Sequence, residues 1–520
     1  MSQPFRLNKE GLINRNKKIS FTFNGKKLFG YEGDTIASAL IANGIHLVGR
    51  SFKYHRPRGF FGAGVEEPNA KLQVEFNGHS EPNVNATEME LVEGLSATSQ
   101  NCWPSVNFDV GAINNFLKMF FPAGFYYKTF MWPKSFWYKI YEPFIRKAAG
   151  LGVASIEKDK ERYEHKFEYC DLLVTGSGPS GLASAYAAAK NGAKVILAED
   201  KPRFGGTLLT DDVSIDNLSG KDWAEKIITE LKSMPNVTVK NRSQVFGYYD
   251  HNMLVMFERV SDHLEKKSKF TPRQRLWYIR AKETILSTGS IERPIVFGNN
   301  DTPGIFLSAA AKEYMKVYGV LVGKKPLIFT NNDSAYETAL EFKKNNVEPI
   351  ILDTREEHSS ELIDEAKSKG IDIRFSHGVI VANGYKKVKS AKIGKLNKDK
   401  NSFEKIETVD CDCICVSGFW TPSVHLASQS GNKLKYEEKI DAFIPDKKKQ
   451  HETSVGAANG SFTLEESLKH GFENGSNLSA KITETKTEIS IPNVNEKKYG
   501  AHDKFWCMPL PKNENPKRFV

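Results

Sequence analysis

Two segments of the chain alternate between short apolar runs and longer amphipathic runs. The first goes from CDLLVTG at residues 170–176 through GPSGLASAYAAAKNG to AKVILAED at residues 193–200. The second goes from PLIFT at residues 326–330 through SAYETALEFKKNN to PIILD at residues 349–353. A short apolar run, a helical pattern and a second apolar run indicate a βαβ unit in a parallel sheet. The sequence therefore predicts an α/β fold with two Rossmann-like domains.

The N-terminal region has a different pattern. The segment ISFTFNGKKLFGY at residues 19–31 is typical of a β-hairpin with an Asn-Gly turn, and the helix IASALIANG follows at residues 36–44. With the Gly-rich basic loop RSFKYHRPRGFFGAG, this is the outline of a plant-type ferredoxin module, which needs four cysteine ligands for its cluster. No cysteine precedes Cys102. We therefore expect residues 1–95 to form a ferredoxin-like module without an iron–sulfur cluster.

Residues 116–144 hold 13 aromatic side chains in 29 positions, interrupted by lysines that argue against a membrane span. Such a segment either packs between two domains or forms a contact surface for another subunit, because aromatic residues are enriched at interfaces. Residues 96–165 are accordingly interpreted as an aromatic-rich linker or interface segment.

The strongest chemical signal is the sequence GSGPSG at residues 176–181. It follows an apolar strand and opens a helix, which is the context that a GxGxxG dinucleotide fingerprint requires. Gly176 would permit the tight turn, Gly178 would let the backbone approach a pyrophosphate, and Gly181 would let helix and strand pack closely. The phosphates would then lie at a helix N-terminus, which favours anions.

An acidic residue, Glu199, ends the second strand of this unit. A carboxylate there would accept hydrogen bonds from an adenosine ribose and repel a 2′-phosphate, which favours NAD or FAD over NADP. Further candidate contacts are Asp200 and Lys201 at the adenosine end, Gly206 and Thr207 in a close-approach loop, and Val245 beside the adenine. A plain turn at Thr207 and a plain strand at Val245 remain alternatives.

Two later segments resemble nucleotide-contact segments of two-domain flavoprotein reductases. ILSTG, ending at Gly289, resembles the strand that returns to the nucleotide domain. VGAANG at residues 455–460, which contains Ala457, resembles the last contact turn.

These segments bracket the second βαβ unit. We expect residues 166–320 and 416–487 to form one NAD-binding domain, with a second Rossmann-like domain inserted at 321–415. The turn of the insertion, TNNDS at residues 330–334, has no glycine, so we do not expect it to bind a dinucleotide. No CxxC pair and no obvious catalytic acid, base, thiol or metal-ligand cluster accompanies either unit, so catalytic residues remain unassigned.

Composition adds little to this interpretation. The formal net charge of +10 over 520 residues fits a surface that attracts anionic cofactors, but no long basic run suggests nucleic acid. Neither a membrane-spanning apolar run nor a secretory signal is present, and six cysteines are sparse, so we expect a cytoplasmic protein.

Several long motifs are more specific than these patterns. They are DTIASALIANGIHLVGRSFKYHRPRGFFGAGVEEPNA, SQNCWPSVNFDVGAINN, FPAGFYYKTFMWP with YEPFIRKAAGLG, FTNNDSAY, and SGFWTPSVHLASQSG. Together, over about residues 15–485, the chain resembles the alpha subunit of heterotetrameric sarcosine oxidase.

The resemblance implies a complex that oxidises sarcosine to glycine, reduces O2 to H2O2 and passes the one-carbon unit to tetrahydrofolate. It implies a beta subunit with FAD and with covalent FMN at the alpha–beta interface, and smaller gamma and delta subunits. The alpha subunit would hold NAD where related reductases hold FAD, and chemistry would belong to a flavin on another chain. The implied NAD contacts are Gly176, Gly178, Ser180, Gly181, Glu199, Asp200, Lys201, Thr207, Val245 and Ala457. The basic loop at residues 50–58 would face the FMN phosphate or form a plain surface loop.

The family's alpha subunits continue into a folate-binding, aminomethyltransferase-like domain. Residues 488–520 are therefore expected to be a tail that leads to a folate domain absent from this chain, which makes tetrahydrofolate binding here doubtful.

Three other interpretations remain open. The chain could be a stand-alone oxidoreductase that uses FAD and NADH, although the glycine-free turn and the lack of CxxC argue against it. It could belong to a related amine, opine or hydroxyproline oxidase, whose members usually keep iron–sulfur cysteines. It could also be a scaffold in which NAD is structural.

Overall fold

The N-terminal module is built on a mixed sheet. The computed structural model describes residues 2–117, 119, 124, 130–511 and 514–519, and elements are numbered in chain order within them. The strands of this sheet are β1 (Asn14–Phe23), β2 (Lys26–Glu32), β5 (Lys71–Phe76), β6 (His79–Asn85) and β7 (Ser96–Ser99), in the order β2-β1-β7-β5-β6. The predicted hairpin is confirmed, with φ of 48° at Asn24 and 78° at Gly25.

The buried helix of this module is α1 (Ile36–Ala42). The Thr35 hydroxyl accepts a hydrogen bond from the Ser38 backbone N–H, and the Ser38 hydroxyl oxygen accepts one from the Thr35 backbone N–H, which forms a capping box. The loop after α1 contains the short pair β3 (Gly49–Arg50) and β4 (Pro57–Arg58). Hairpin, helix and loop therefore follow in the order that the sequence predicts.

The aromatic segment lies on the surface in its described part. Its elements are α2 (Ile113–Phe116), a π-helical turn at Trp137–Tyr141, and α3 (Glu142–Ala149). Phe116 is 84% exposed, Trp132 84% and Phe144 68%. Residues 118, 120–123 and 125–129 of this segment lie outside the described residues. Packing between two domains does not account for side chains as exposed as these.

The second sheet carries the glycine loop. Its strands are β8 (Tyr163–Thr175), β9 (Val195–Ala198), β12 (Val237–Lys240), β13 (Ser243–Tyr249), β14 (Met253–Arg259), β15 (Gln274–Leu286) and β28 (Glu452–Ser454). The order is β12-β9-β8-β15-β14-β13, with β28 paired beside β15. Helices α4 (Pro179–Lys190), α5 (Gly220–Ser233) and α10 (Leu464–Thr483) pack against it around an apolar core.

The inserted domain is a parallel sheet with helices. Its strands are β17 (Ile305–Leu307), β18 (Pro326–Thr330), β19 (Ile350–Asp353), β20 (Asp372–Phe375) and β24 (Cys413–Ser417), in the order β17-β24-β18-β19-β20. Its helices are α6 (Ser308–Lys316), α7 (Ser334–Lys344) and α8 (Glu361–Ser368), and an antiparallel meander adds β21 (His377–Gly384), β22 (Val388–Leu396) and β23 (Phe403–Asp410). The sheet begins before and ends after the expected span 321–415. Its first strand, β17, lies outside that span because it is too short to recognise from its apolar pattern.

Short antiparallel pairs connect these units. The chain passes into the inserted domain through β16 (Ser290–Glu292) and returns through β25 (Trp420–Pro422), which pair with each other. The remaining elements are β10 (Ser214–Ile215), β11 (Leu218–Ser219), α9 (His425–Gln429), β26 (Lys433–Glu437), β27 (Ala442–Lys447) and β29 (Val494–Asn495). The pairing of β29 with β10 ties the C-terminal segment to the domain of the glycine loop.

Candidate functional site

A cavity of about 760 Å³ lies between the glycine-loop domain and the inserted domain. Six separate stretches of sequence bring predicted contact residues to its wall. These residues are Gly176, Gly178, Ser180, Glu199, Asp200, Lys201, Gly206, Thr207, Val245, Gly289 and Ala457. The fold therefore collects into one cavity residues that lie far apart in the chain.

The glycine loop joins β8 to α4 at the edge of this cavity. Gly176 has a φ of 95°, a conformation that L side chains rarely adopt. A β-carbon added at Gly178 would meet no atom within 4 Å, so this position faces open space. No side chain caps the N-terminus of α4. The first turn of α4 therefore presents backbone N–H groups and the positive end of the helix dipole to the cavity.

Gly181 has a packing role and does not line the cavity. A β-carbon there would lie 1.9 Å from the carbonyl oxygen of Gly176 and 2.6 Å from the Ser287 hydroxyl oxygen. That hydroxyl donates to the Gly176 carbonyl at 2.8 Å and thereby joins β15 to the glycine loop. The third glycine of the fingerprint thus permits close packing, as its sequence position predicts.

Glu199 is buried at the end of β9 and holds the glycine loop. Its Oε2 accepts hydrogen bonds from the Ser177 backbone N at 2.9 Å and from the Ser177 hydroxyl at 2.5 Å. Its Oε1 accepts one from the Lys201 backbone N at 3.0 Å. Burial, reinforced by the neighbouring Asp200 carboxylate, raises the pKa of Glu199 to about 8.

The remaining predicted residues lie on turns and strands around the glycine loop and Glu199. Gly206 and Thr207 belong to a 3-10 turn at Gly206–Leu209, Val245 lies in β13, Gly289 follows β15, and Ala457 lies in a 3-10 turn at Gly456–Asn459. A β-carbon at Gly206 would lie 3.0 Å from the Gly178 Cα, so the two glycine loops touch.

Sequence reasoning missed several ionisable residues of the cavity. Glu292 lies in β16 and its Oε2 accepts a hydrogen bond from the Ala309 backbone N at 2.7 Å. Burial raises the pKa of Glu292 to about 7. Lys312 of α6 contacts Asp211 at 2.7 Å and Glu337 at 2.5 Å, and so links the two domains. None of these residues belongs to a local motif, so only the tertiary structure reveals them.

The N-terminal module also reaches the cavity, through Val65 and Glu66 of its Gly-rich loop. Motifs near a dinucleotide fingerprint give no signal for such a contribution, because the loop precedes the fingerprint by more than a hundred residues.

The glycine-free turn of the inserted domain is covered by the C-terminal segment. The Asp333 carboxylate accepts a hydrogen bond from the Gly500 backbone N at 2.7 Å and pairs with Arg355 at 2.7 Å. The Asn331 amide donates to the Asp503 carbonyl at 2.8 Å. The Asp333 side chain makes no capping hydrogen bond to α7, although it stands immediately before that helix. The C-terminal segment therefore packs directly against the turn of the inserted βαβ unit.

The basic loop at residues 50–58 has internal partners. Arg50 donates to the Val106 carbonyl oxygen at 2.9 Å and 2.6 Å. Arg56 pairs with Asp301 at 2.7 Å, and Arg58 contacts the same carboxylate. These contacts do not favour the hypothesis that the three guanidinium groups face an FMN phosphate.

Within the residues that the structure describes, no group of three or more His, Cys, Asp or Glu side chains is placed to hold a metal ion. In the same part of the chain, no helix combines the length and apolar character needed to cross a bilayer.

Comparison with known proteins agrees with this architecture. Residues 16–102 match the family model described as 2Fe-2S iron-sulfur cluster binding domain, and residues 171–251 match FAD dependent oxidoreductase. The structure resembles L-proline dehydrogenase from P. horikoshii, with a TM-score of 0.61 over 94% of this chain and 77% of that chain, at 19% identity. The predicted fold class is confirmed: a ferredoxin-like module followed by α/β oxidoreductase domains.

Sequence relatives define the family more closely. Sarcosine oxidase subunit alpha of Rhizobium meliloti (strain 1021) is 44% identical over 458 residues, 87% of this chain and 45% of the relative. The chain is homologous to the alpha subunits of sarcosine oxidase. The alpha subunit of Corynebacterium sp. (strain U-96) is 31% identical over 510 residues, 95% of this chain and 48% of the relative. The chain thus spans about half the length of the sarcosine oxidase alpha subunits that it matches.

The two family models imply cofactors that the residues fit unequally. A 2Fe–2S cluster of this type needs four cysteine thiolates, and residues 16–102 contain Cys102 as their single cysteine. The residues therefore do not fit a cluster. The glycine loop and Glu199 do fit the adenosine diphosphate portion that FAD and NAD share.

Proposed function

We propose that this chain binds NAD in the cavity and forms the NAD-holding part of an alpha subunit in a sarcosine oxidase complex. The homology over 87% of the chain carries the proposal, together with an uncapped glycine-loop helix beside a terminal acidic residue. In the complex, sarcosine is oxidatively demethylated to glycine, O2 is reduced to H2O2, and the one-carbon unit passes to tetrahydrofolate.

The residues of the cavity have distinct roles in this proposal. Gly178 and Ser180 face the pyrophosphate at the N-terminus of α4, and Glu199 accepts hydrogen bonds from the adenosine ribose. Asp200 and Lys201 lie at the adenosine end. The other proposed contacts are Gly206, Thr207, Val245, Gly289 and Ala457.

The contacts of the glycine-free turn support a holding role. A reductase that uses both FAD and NADH needs two nucleotide positions, and here Asp333 and its neighbours contact the C-terminal segment instead. NAD, when redox-active, supplies a hydride acceptor, whereas the amine and oxygen chemistry requires a flavin. We place FAD, and FMN at the interface, on a beta subunit.

The exposed aromatic segment supports assembly with other subunits. Phe116, Trp132 and Phe144 each expose most of an aromatic side chain, and exposed apolar surface marks interaction sites. We propose that this surface contacts the flavin-bearing beta subunit in a heterotetramer that also contains gamma and delta subunits. The complex would be cytoplasmic.

The test is to express the chain with a beta, a gamma and a delta subunit and to follow sarcosine-dependent O2 consumption and glycine formation. Activity with NAD retained in the complex supports the proposal. If the E199A complex loses NAD but keeps turnover, NAD has a structural role. If it loses NAD and turnover together, NAD is necessary for catalysis. No sarcosine-dependent activity in any assembled complex would contradict the proposed substrate.

A second candidate function is a stand-alone FAD and NADH oxidoreductase, which the FAD dependent oxidoreductase match over residues 171–251 favours. It predicts that the purified chain alone contains FAD and oxidises NADH with an artificial acceptor. The sarcosine oxidase proposal predicts neither.

A further inference from the structure

The Gly-rich loop of the ferredoxin-like module is organised around a buried carboxylate. Glu67 is 2% exposed. Its Oε2 accepts hydrogen bonds from the backbone N of Phe61 at 2.6 Å and of Gly62 at 2.8 Å. Its Oε1 accepts them from Asn69 at 2.7 Å and Ala70 at 3.1 Å. One side chain thus satisfies four backbone N–H groups from both ends of the loop.

The neighbouring glutamate satisfies the N–H groups between these ends. Glu66 Oε1 accepts hydrogen bonds from Ala63 N at 2.8 Å and Gly64 N at 2.9 Å. A β-carbon at Gly62 would lie 2.5 Å from this same oxygen, so the glycine leaves room for the carboxylate. Six backbone N–H groups of one short loop therefore point at two adjacent carboxylates.

Converging N–H groups also suit an anionic iron–sulfur cluster, because they can donate hydrogen bonds to its sulfurs. The module matches a 2Fe–2S domain model but has a single cysteine within the matched residues. The loop thus has converging N–H donors of the kind that surround a cluster, but the acceptors that they face are glutamate side chains.

The same loop forms part of the dinucleotide cavity. Val65 and Glu66 line it, and a β-carbon at Gly64 would lie 3.6 Å from the Lys201 Cε at the adenosine end. The loop is also joined to the inserted domain, since the Tyr314 hydroxyl donates to the Gly62 carbonyl at 3.0 Å. Its position against the cavity is therefore fixed from two sides.

We propose that the carboxylates of Glu66 and Glu67 take the place of an iron–sulfur cluster and fix this loop as a wall of the dinucleotide site. The second half of this inference rests on the proposed function, in which the cavity holds NAD. The ferredoxin-like module would then contribute to nucleotide binding rather than to electron transfer.

The experiment compares the wild-type chain with E66Q, E67Q and the control E75Q, which changes an exposed glutamate of β5 in the same module. Residue-level hydrogen exchange reports on the loop, and titration with NAD reports on the cavity. We expect the amides of Phe61, Gly62, Asn69 and Ala70 to exchange at least tenfold faster in E67Q. We expect NAD affinity to fall roughly tenfold, equivalent to about 1.4 kcal/mol, in E66Q and E67Q but not in E75Q.

Three results would overturn the inference. Unchanged exchange in E67Q would show that the carboxylate does not hold the loop, and unchanged NAD affinity in both variants would show that the loop is not a wall of the site. Uptake of iron and sulfide by anaerobically reconstituted wild type would show that the cluster has not been replaced. If wild type binds no NAD, the proposed function fails, while hydrogen exchange still decides the role of the two carboxylates. If E67Q does not fold, E66Q, which affects two N–H groups rather than four, provides both readouts.

Discussion

The carbonyl oxygen of Gly176 lies where a β-carbon of Gly181 would be, at a separation of 1.9 Å. Gly178, between them in the chain, has no atom within 4 Å of the corresponding position. Two glycines of one fingerprint therefore have separable roles, one in packing and one in leaving space for a ligand.

Alanine substitutions should separate these roles. G178A is expected to fold normally, because its φ of −64° suits alanine, and to bind NAD at least roughly tenfold more weakly, equivalent to about 1.4 kcal/mol. G181A is expected to lose about 1–3 kcal/mol of unfolding free energy through overpacking. Urea unfolding and calorimetric titration measure the two effects. Normal NAD affinity in G178A would contradict the proposed pyrophosphate position.

Glu199 should determine both affinity and nucleotide preference. Wild type is expected to bind NAD more tightly than NADP, because a 2′-phosphate would approach the carboxylate. E199A should weaken NAD binding by about 1–3 kcal/mol, because it removes an acceptor for the ribose and leaves the Ser177 backbone N–H without its partner, and it should reduce the preference. E225A, on the exposed face of α5, is the control. Equal affinity for NAD and NADP in wild type would refute this role.

Glu292 should make the stability of the unliganded chain depend on pH. Its pKa is about 7 in the folded chain, above its ordinary 4.5. The folded state therefore binds more protons than the unfolded state between these values, and stability falls as pH rises through them. The loss of unfolding free energy across this pH range should be roughly 3 kcal/mol smaller in E292Q than in wild type. Urea unfolding from pH 5 to pH 8 tests the prediction, and identical slopes in the two proteins would disprove it.

The exposed aromatic segment should be needed for assembly but not for folding. W132D and F144D change side chains that are 84% and 68% exposed, so the melting temperature of the isolated chain should stay unchanged. Co-purification with the beta subunit should be lost. F270D, at a 74% exposed phenylalanine outside this segment, is the control. Retained assembly in W132D and F144D would place the subunit interface elsewhere.

Sequence reasoning predicts the local parts of this molecule best. The Asn-Gly hairpin, the helix begun at Thr35 and the strand–glycine loop–helix unit each depend on neighbouring residues, and all of them appear in the structure. The packing contact at Gly181 also follows from its place in the fingerprint.

Long-range contacts could not be predicted in this way. Asp333 looks like a helix cap locally, but its partners are Arg355 and Gly500. Glu66 reaches the cavity from a module that precedes the glycine loop, and Glu292 becomes part of the wall because β16 pairs with β25. Such residues carry no motif, since their positions depend on how distant elements pack.

The most direct measurement is the identity of the nucleotide that acid releases from the purified chain, determined by absorbance and mass. The account predicts NAD, at about one molecule per chain, without a flavin absorption band. Stoichiometric FAD would contradict it and would favour the stand-alone reductase.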